Sequence, residues 1–212
     1  MRNLAPELEV GLEDATAEEV LEHMLDRHHP ELALACSFQK EEAVLIDMLM
    51  RIEPSARVFT IDTGVLFPET YEAWREIERH YGVAVEIFDA QRDDGREWNA
   101  LQCCSVAKVD ALERALDGLC GWITGLRRDQ SPTRADAPKV SYDEKRGLWK
   151  ANPLADWDDK AVWNYIHRHG VPYNPLHDRG YESIGCVPCT LPGSGREGRW
   201  AGSDKTECGI HV

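Results

Sequence analysis

Along much of the chain, short apolar runs alternate with longer segments in which apolar positions recur at helical spacing. A short apolar run is typical of a buried strand, and apolar positions three or four residues apart are typical of a helix with one buried face. The predicted strands are residues 31–38, 57–62, 83–88 and 119–126. The predicted helices are residues 16–29, 40–50, 68–81, 106–116 and 158–169. This alternation predicts an α/β fold, a parallel twisted sheet with helices on both faces.

Several boundaries have local signals. Thr16 followed by Glu19 predicts a capping box at the start of the first helix, and Pro68 is a favoured first-turn residue. After the fourth predicted strand the pattern weakens, and we expect a long loop at 127–139 followed by a hairpin turn at 145–147.

The length of 212 residues is enough for a single domain with a sizeable core. From about residue 190 the chain is rich in Gly, Arg and Ser. We therefore expect one α/β nucleotide- and cluster-binding domain over residues 1–190. Residues 191–212 are expected to form a mobile C-terminal tail.

The net charge of -14, from 24 Lys and Arg against 38 Asp and Glu, disfavours nucleic acid and anionic membranes as partners. No apolar stretch is long enough to span a bilayer, and residues 1–10 lack the apolar region of a signal peptide. We therefore expect a cytoplasmic protein. In that compartment the seven cysteines indicate metal or redox chemistry more than structural disulfides.

Four of these cysteines form two close pairs, Cys103 with Cys104 and Cys186 with Cys189. The adjacent pair alone could be two small buried apolar side chains, but together the pairs favour a four-thiolate metal site. Zinc is one alternative. Adjacent thiolates reach different iron atoms more easily than one zinc ion, which favours a [4Fe–4S] cluster. Lys108 follows Cys104 by four residues, on the same helical face, where it is either a neighbour of the cluster or a solvated lysine.

Anion-binding residues are expected at three places, although no Walker or dinucleotide-binding loop is present. The turn after the first strand offers Ser37, Gln39 and Lys40 at a helix N-terminus. Guanidinium groups bind phosphate and sulfate, and arginines are clustered in two glycine-bearing loops. The candidates in those loops are Gly125, Arg127, Arg128 and Arg134 in the first and Arg196 and Arg199 in the second. Solvated loop charges are the simpler alternative.

The double cysteine at 103–104, the C-x-x-C at 186–189 and the ending E-C-G-I-H at 207–211 together resemble the assimilatory, thioredoxin-dependent adenylylsulfate (APS) reductases. The resemblance covers most of the chain, from about residue 31 onward. It implies the fold of the PP-loop superfamily, with residues 36–42 as a modified PP-loop that here contains no glycine.

The resemblance also implies roles for individual residues. The ligands of one [4Fe–4S] cluster would be Cys103, Cys104, Cys186 and Cys189. Lys108 would link this cluster to the substrate pocket. Thr63 and Gly64 would hold the adenosine, and the arginines at 127, 134, 196 and 199 would contact the phosphosulfate.

The catalytic residue implied by the resemblance is Cys208, close to the C-terminus. Its thiolate would attack the sulfur of APS, release AMP and leave an S-sulfocysteine, which thioredoxin or glutaredoxin would reduce to sulfite. A homo-oligomer is compatible with this interpretation. The alternatives are a reductase for phosphoadenylylsulfate (PAPS) or for both nucleotides, a PP-loop tRNA thiolation enzyme, and a zinc-binding interaction module.

Overall fold

Alternating helices and strands build the part of the chain that the computed structural model describes, residues 11–90 and 106–200. The helices are α1 (Ala17–His28), α2 (Lys40–Ile52), α3 (Pro68–Tyr81), α4 (Lys108–Leu116) and α5 (Asp159–His169). The strands are β1 (Leu32–Ala35), β2 (Arg57–Asp62), β3 (Val85–Asp89), β4 (Gly121–Ile123), β5 (Val140–Asp143) and β6 (Leu148–Ala151).

The strands form one six-stranded sheet in the order β3-β2-β1-β4-β6-β5. All neighbouring pairs are parallel except β5 with β6, which are antiparallel. At the centre, Leu34 of β1 is in register with Val58 of β2 and Ile123 of β4. The predicted parallel sheet is confirmed, and the predicted hairpin supplies the antiparallel edge strand.

Apolar side chains cover both faces of the sheet because successive residues of a strand point to opposite sides. Leu34 and Val58 face the larger core, to which α1, α2, α3 and α5 contribute. Phe59 and Trp122 face the smaller core, which α4 closes with Leu112 and its neighbours. Helices therefore lie on both faces, as the sequence pattern predicts.

The predicted helix signals are confirmed. Thr16 Oγ1 accepts a hydrogen bond from the backbone N–H of Glu19 at 3.2 Å, and Glu19 Oε2 accepts one from the N–H of Thr16 at 2.7 Å. Pro68 begins α3, which ends before Gly82. None of the described helices has both the length and the apolar character needed to cross a bilayer.

Two strands are much shorter than predicted, the first and the fourth, and the third is shorter by a single residue. The first ends at Ala35, because the chain turns at Phe38, whose φ of 58° lies outside the extended region. The fourth begins only at Gly121, because Leu119 still belongs to the turn after α4 and its N–H bonds Leu116 O at 3.1 Å. Apolar runs mark what is buried, and they do not show where extended backbone begins or ends.

The described part of the predicted tail makes defined backbone contacts. The N–H of Leu191 donates to Gly198 O at 2.8 Å, and the N–H of Trp200 donates to Cys189 O at 2.8 Å. These bonds close residues 190–200 into a loop, which we call the arginine loop because it carries Arg196 and Arg199. The mobility of the tail stays a prediction.

Candidate functional site

A cavity of about 200 Å³ lies beside the carboxyl ends of β1 and β4. Its wall is built from the turn between β1 and α2, the loop after β4, residues 182–186, Lys108 and the arginine loop. In open α/β sheets, ligands bind in the crevice at the carboxyl ends of the strands. The position of the cavity therefore makes it the candidate substrate site.

The turn between β1 and α2 has a constrained backbone at Phe38, where φ is 58°. The buried ring of Phe38 stacks on Trp74 at a centroid distance of 5.1 Å. This packing fixes the next residue, Gln39, whose Oε1 accepts a hydrogen bond from the N–H of Ile184 at 2.7 Å and whose Nε2 donates to Ser37 Oγ at 3.2 Å. Ser37 and Gln39 therefore face the cavity, and Gln39 also ties the turn to the opposite wall.

Two buried glutamates at the start of α2, Glu41 and Glu42, also line the cavity. The Glu42 carboxylate accepts hydrogen bonds from the Ser37 hydroxyl at 3.1 Å and from the N–H of Gln39 at 3.2 Å. Burial, reinforced by the charge of Glu41, raises the pKa of Glu42 to about 7. Gly125 makes room for this carboxyl, since a Cβ at that position would lie 2.7 Å from Glu42 Oε1.

Arg127 is buried in the same wall and paired with carboxylates. Its Nη2 lies 2.9 Å from Glu41 Oε1 and 3.2 Å from Asp159 Oδ1. The buried ammonium of Lys40 also pairs with Asp159. The charge of Arg127 is therefore largely balanced within the protein. Arg134, in the same loop, also lines the cavity.

The arginine loop places Arg196 and Arg199 in the opposite wall. Nη1 of Arg199 donates to Ser183 Oγ at 3.2 Å and to Ile184 O at 3.1 Å. The guanidinium lies flat against Gly185, where a Cβ would approach Nη2 to 2.6 Å. The absence of a side chain at Gly185 therefore permits the observed position of Arg199.

The charge of the cavity wall differs from that of the whole chain. Among the described residues the wall has six basic and five acidic side chains, whereas the chain has 24 basic and 38 acidic residues. The basic residues are Lys40, Lys108, Arg127, Arg134, Arg196 and Arg199. Such local enrichment of cations favours a negatively charged ligand.

The buried free thiol of Cys186 lies in the cavity wall, and that of Cys189, also buried, lies next to it. Thr63 Oγ1 lies 3.2 Å from Cys186 Sγ. The Cys189 thiol and burial raise the pKa of the Cys186 thiol, while the positive charge of Lys108 acts in the opposite direction. Lys108 therefore acts electrostatically on the Cys186 thiol, and its position beside a cluster stays a prediction. Within residues 11–90 and 106–200, no three potential metal ligands from His, Cys, Asp and Glu form a group.

The structure brings together most of the predicted site residues that it describes. Those in the cavity wall are Ser37, Gln39, Lys108, Gly125, Arg127, Arg134, Cys186, Arg196 and Arg199. Thr63 and Gly64 lie beside it at the end of β2, where the N–H of Gly64 bonds Asp62 Oδ1 at 2.8 Å. Cys103, Cys104 and Cys208 lie outside the described residues.

Glu42, Gly185 and Trp200 are among the residues of the site to which the sequence-based prediction gives no individual role. The sequence pattern predicts Glu42 to be a surface residue of an amphipathic helix, and its burial becomes evident only from the tertiary structure. Gly185 adjoins the C-x-x-C motif, which is a weak signal for close packing. Trp200 follows Arg199 directly, and an aromatic residue beside clustered arginines is a signal that could have been used.

Known proteins resemble this chain over most of its length. Residues 31–192 match the family model of the phosphoadenosine phosphosulfate reductase domain. An adenosine 5'-phosphosulfate reductase of Salinibacter ruber is 43% identical over 86% of this chain and 78% of its own length. One from Staphylococcus haemolyticus is 40% identical, covering 96% of this chain and 90% of its own. The crystal structure of a phosphoadenylyl-sulfate reductase from Candida auris, in a phosphate complex, superposes with a TM-score of 0.74 at 29% identity, covering 87% of this chain and 94% of that one.

Proposed function

This chain belongs to the phosphoadenosine phosphosulfate reductase domain family, with the PP-loop fold, and on that basis we propose that it reduces APS to sulfite and AMP with thioredoxin. The curated relatives named adenosine 5'-phosphosulfate reductase support the nucleotide and the reaction, a step of sulfate assimilation. The observation that carries the proposal is the cavity wall, where the arginine loop faces the turn after β1 beside a buried thiol pair.

Substrate binding uses the two sides of this cavity. Arg196 and Arg199 neutralise the phosphosulfate from one wall. Gln39 donates from the other wall, since its amide has a second N–H besides the one bonded to Ser37. Arg134 completes the group of cationic contacts. Thr63 and Gly64 follow β2 next to the cavity, and they contact the adenosine. Arg127, whose charge is balanced by Glu41 and Asp159, contributes chiefly by fixing the wall.

The reaction proceeds in two steps through Cys208. Its thiolate attacks the sulfate sulfur of APS, so that an S–S bond forms, the bond from sulfur to the bridging oxygen breaks, and AMP leaves with that oxygen. The basic side chains stabilise the charge on the leaving phosphate. A thioredoxin thiolate then attacks Cys208 Sγ, sulfite leaves with the bonding electron pair, and the second thioredoxin thiol resolves the mixed disulfide. Thioredoxin thereby loses two electrons and Cys208 returns as a thiolate.

The donor set fits a cluster of the [4Fe–4S] type. Cys186 and Cys189 are buried, free of disulfides and close enough for their thiols to interact. The other two ligands, Cys103 and Cys104, precede Lys108, whose charge acts on the Cys186 thiol. This supports all four cysteines holding one cluster. When bound, the cluster supplies a structural cross-link and a charged neighbour for the pocket. Reliance on free thiols and thioredoxin fits the cytoplasm.

A second candidate function is the reduction of PAPS. The matching domain model and the Candida auris structure both have names that refer to the 3'-phosphorylated nucleotide. The curated relatives from Salinibacter ruber and Staphylococcus haemolyticus are named for APS, and this supports APS as the preferred nucleotide.

The test is anaerobic purification followed by assays of iron, acid-labile sulfide and sulfite release. We expect a brown protein that releases sulfite from APS in the presence of reduced thioredoxin, with a higher kcat/KM for APS than for PAPS. Preference for PAPS would replace the first candidate with the second. A colourless protein that binds zinc and is inactive with both nucleotides would refute both.

A further inference from the structure

Trp200 occupies a central position between the arginines and the thiols of the cavity. Its ring faces the guanidinium of Arg199 at 4.6 Å and that of Arg196 at 5.4 Å, measured from Cζ to the ring. The side chain is only 4% exposed. A cation over the face of an indole is attracted by the ring quadrupole, and the attraction is stronger when the pair is shielded from water. One buried side chain therefore holds both arginines of the loop.

The same indole packs against the thiol pair. Trp200 forms a small apolar cluster with Cys186 and Cys189, to which Val65 and Leu66 add partly buried side chains. Exposed polar residues would leave these sulfurs open to solvent, whereas an indole excludes water from one side of them. The cluster places the thiols next to the residue that holds the arginines.

The backbone at Trp200 is constrained as well. Its φ of 52° lies in the left-handed region, which is unfavourable for a bulky residue and persists where surrounding contacts hold it. Two contacts do so here. The N–H of Trp200 donates to Cys189 O at 2.8 Å, and Thr190 pairs with Arg199 in an antiparallel bridge. Trp200, the last residue of the arginine loop, is thus held against Cys189, the last residue of the C-x-x-C motif.

From these contacts we infer that Trp200 is a positioning residue. It fixes Arg196 and Arg199 over the cavity, and it covers the Cys186–Cys189 pair. The arginines and the thiols therefore keep one geometry relative to the substrate. The inference rests on the proposed function and deepens it.

The test compares anaerobically purified wild type with Trp200→Leu, Trp200→Phe and the control Trp149→Leu. Trp149 is a partly buried tryptophan that packs against His28 and Tyr142 and is not part of the cavity wall. The readouts are the Kd of AMP by calorimetry, the rate at which a chelator removes iron, and kcat and KM for APS. Circular dichroism shows whether each variant is folded.

We expect Trp200→Leu to raise the Kd of AMP and the KM of APS about tenfold, the loss expected for two weakened cation–π contacts, and to accelerate iron release. Trp200→Phe keeps an aromatic face, so its Kd should lie between those of wild type and Trp200→Leu. This variant also decides the matter if Trp200→Leu fails to fold. The control should match wild type in all three readouts.

The inference is overturned if the folded Trp200 variants bind AMP and retain iron as wild type does. It is also overturned if Trp149→Leu shows the same losses, because the effect would then reflect general destabilisation. An inactive wild type would instead contradict the proposed function. The two failures are therefore distinguishable.

Discussion

Glu42 is a buried carboxyl whose ionisation should oppose folding, and this can be measured by replacing it with glutamine. Glutamine has the same shape and keeps an oxygen that can accept from Ser37 and from the N–H of Gln39. The variant Glu42→Gln therefore removes the titration while it preserves the contacts at the start of α2.

The magnitude follows from the pKa of Glu42, which burial raises from its ordinary value of 4.5 to about 7. At a pH between these two pKa values, Glu42 keeps its proton in the folded protein and has released it in the unfolded chain. Stability from this group is therefore fully present below pH 4.5, falls as the pH rises, and is lost above about pH 7. The loss amounts to about 3 kcal/mol, since one pH unit corresponds to about 1.4 kcal/mol.

The assay is the melting temperature of wild type and Glu42→Gln from about pH 5 to about pH 8. Taking the difference at each pH cancels the titration of groups that both proteins share. We expect the two proteins to have similar melting temperatures at the acidic end of this range. At the basic end the variant should melt about 6–12 °C higher than wild type, which is the shift that about 3 kcal/mol produces in a protein of this size. A difference that stays constant over this range would refute the assigned pKa and the burial of an ionisable Glu42.

Three further predictions follow from the site. Gly185→Ala should displace Arg199 and raise the KM for APS about tenfold, with a smaller change in kcat; an unchanged KM would contradict the close approach. Cys189→Ser should lose most of its iron. The control Cys120→Ser, which alters a thiol bonded to Glu31, should keep its iron. Equal iron contents in the two variants would show that Cys189 is not a ligand. The imidazole of His177 accepts a hydrogen bond from the N–H of Lys40 at 3.3 Å, at the start of α2. Because burial lowers the pKa of His177 from 6.5, its protonation opposes folding, so stability should fall as the pH drops below about 6.5. His177→Gln should weaken this acid dependence of the melting temperature, and an identical profile would argue against a buried neutral imidazole.

The sequence predicts the fold well because the signals involved are local. The capping box at Thr16 and the bounds of α3, between Pro68 and Gly82, follow from side chains that act within one helical turn. Residues 57–62 match β2 completely, since the run is bounded by turn residues on both sides. The turn at Phe38 is not evident from the sequence, because the stacking partner that fixes it, Trp74, is distant along the chain.

The candidate site is predictable in its residue types and less so in its geometry. Clustered arginines and a C-x-x-C motif indicate an anion and a metal, and the structure places Arg196, Arg199 and Cys186 around one cavity. The pairing of Arg127 with Glu41 and the approach of Arg199 to a glycine depend on segments far apart in sequence. Such contacts arise only when the sheet brings those segments together, so no local pattern encodes them.

The central claim is that Cys208 receives the sulfonate group of APS, and mass spectrometry of the C-terminal peptide tests it most directly. Enzyme mixed with APS in the absence of a reductant should gain the mass of one SO3 group on Cys208, and Cys208→Ser should gain none while it still binds AMP and keeps its iron. Reduced thioredoxin should then remove the group and release an equal amount of sulfite. Sulfite release from APS by a protein whose Cys208 is never modified, or undiminished turnover by Cys208→Ser, would contradict the mechanism.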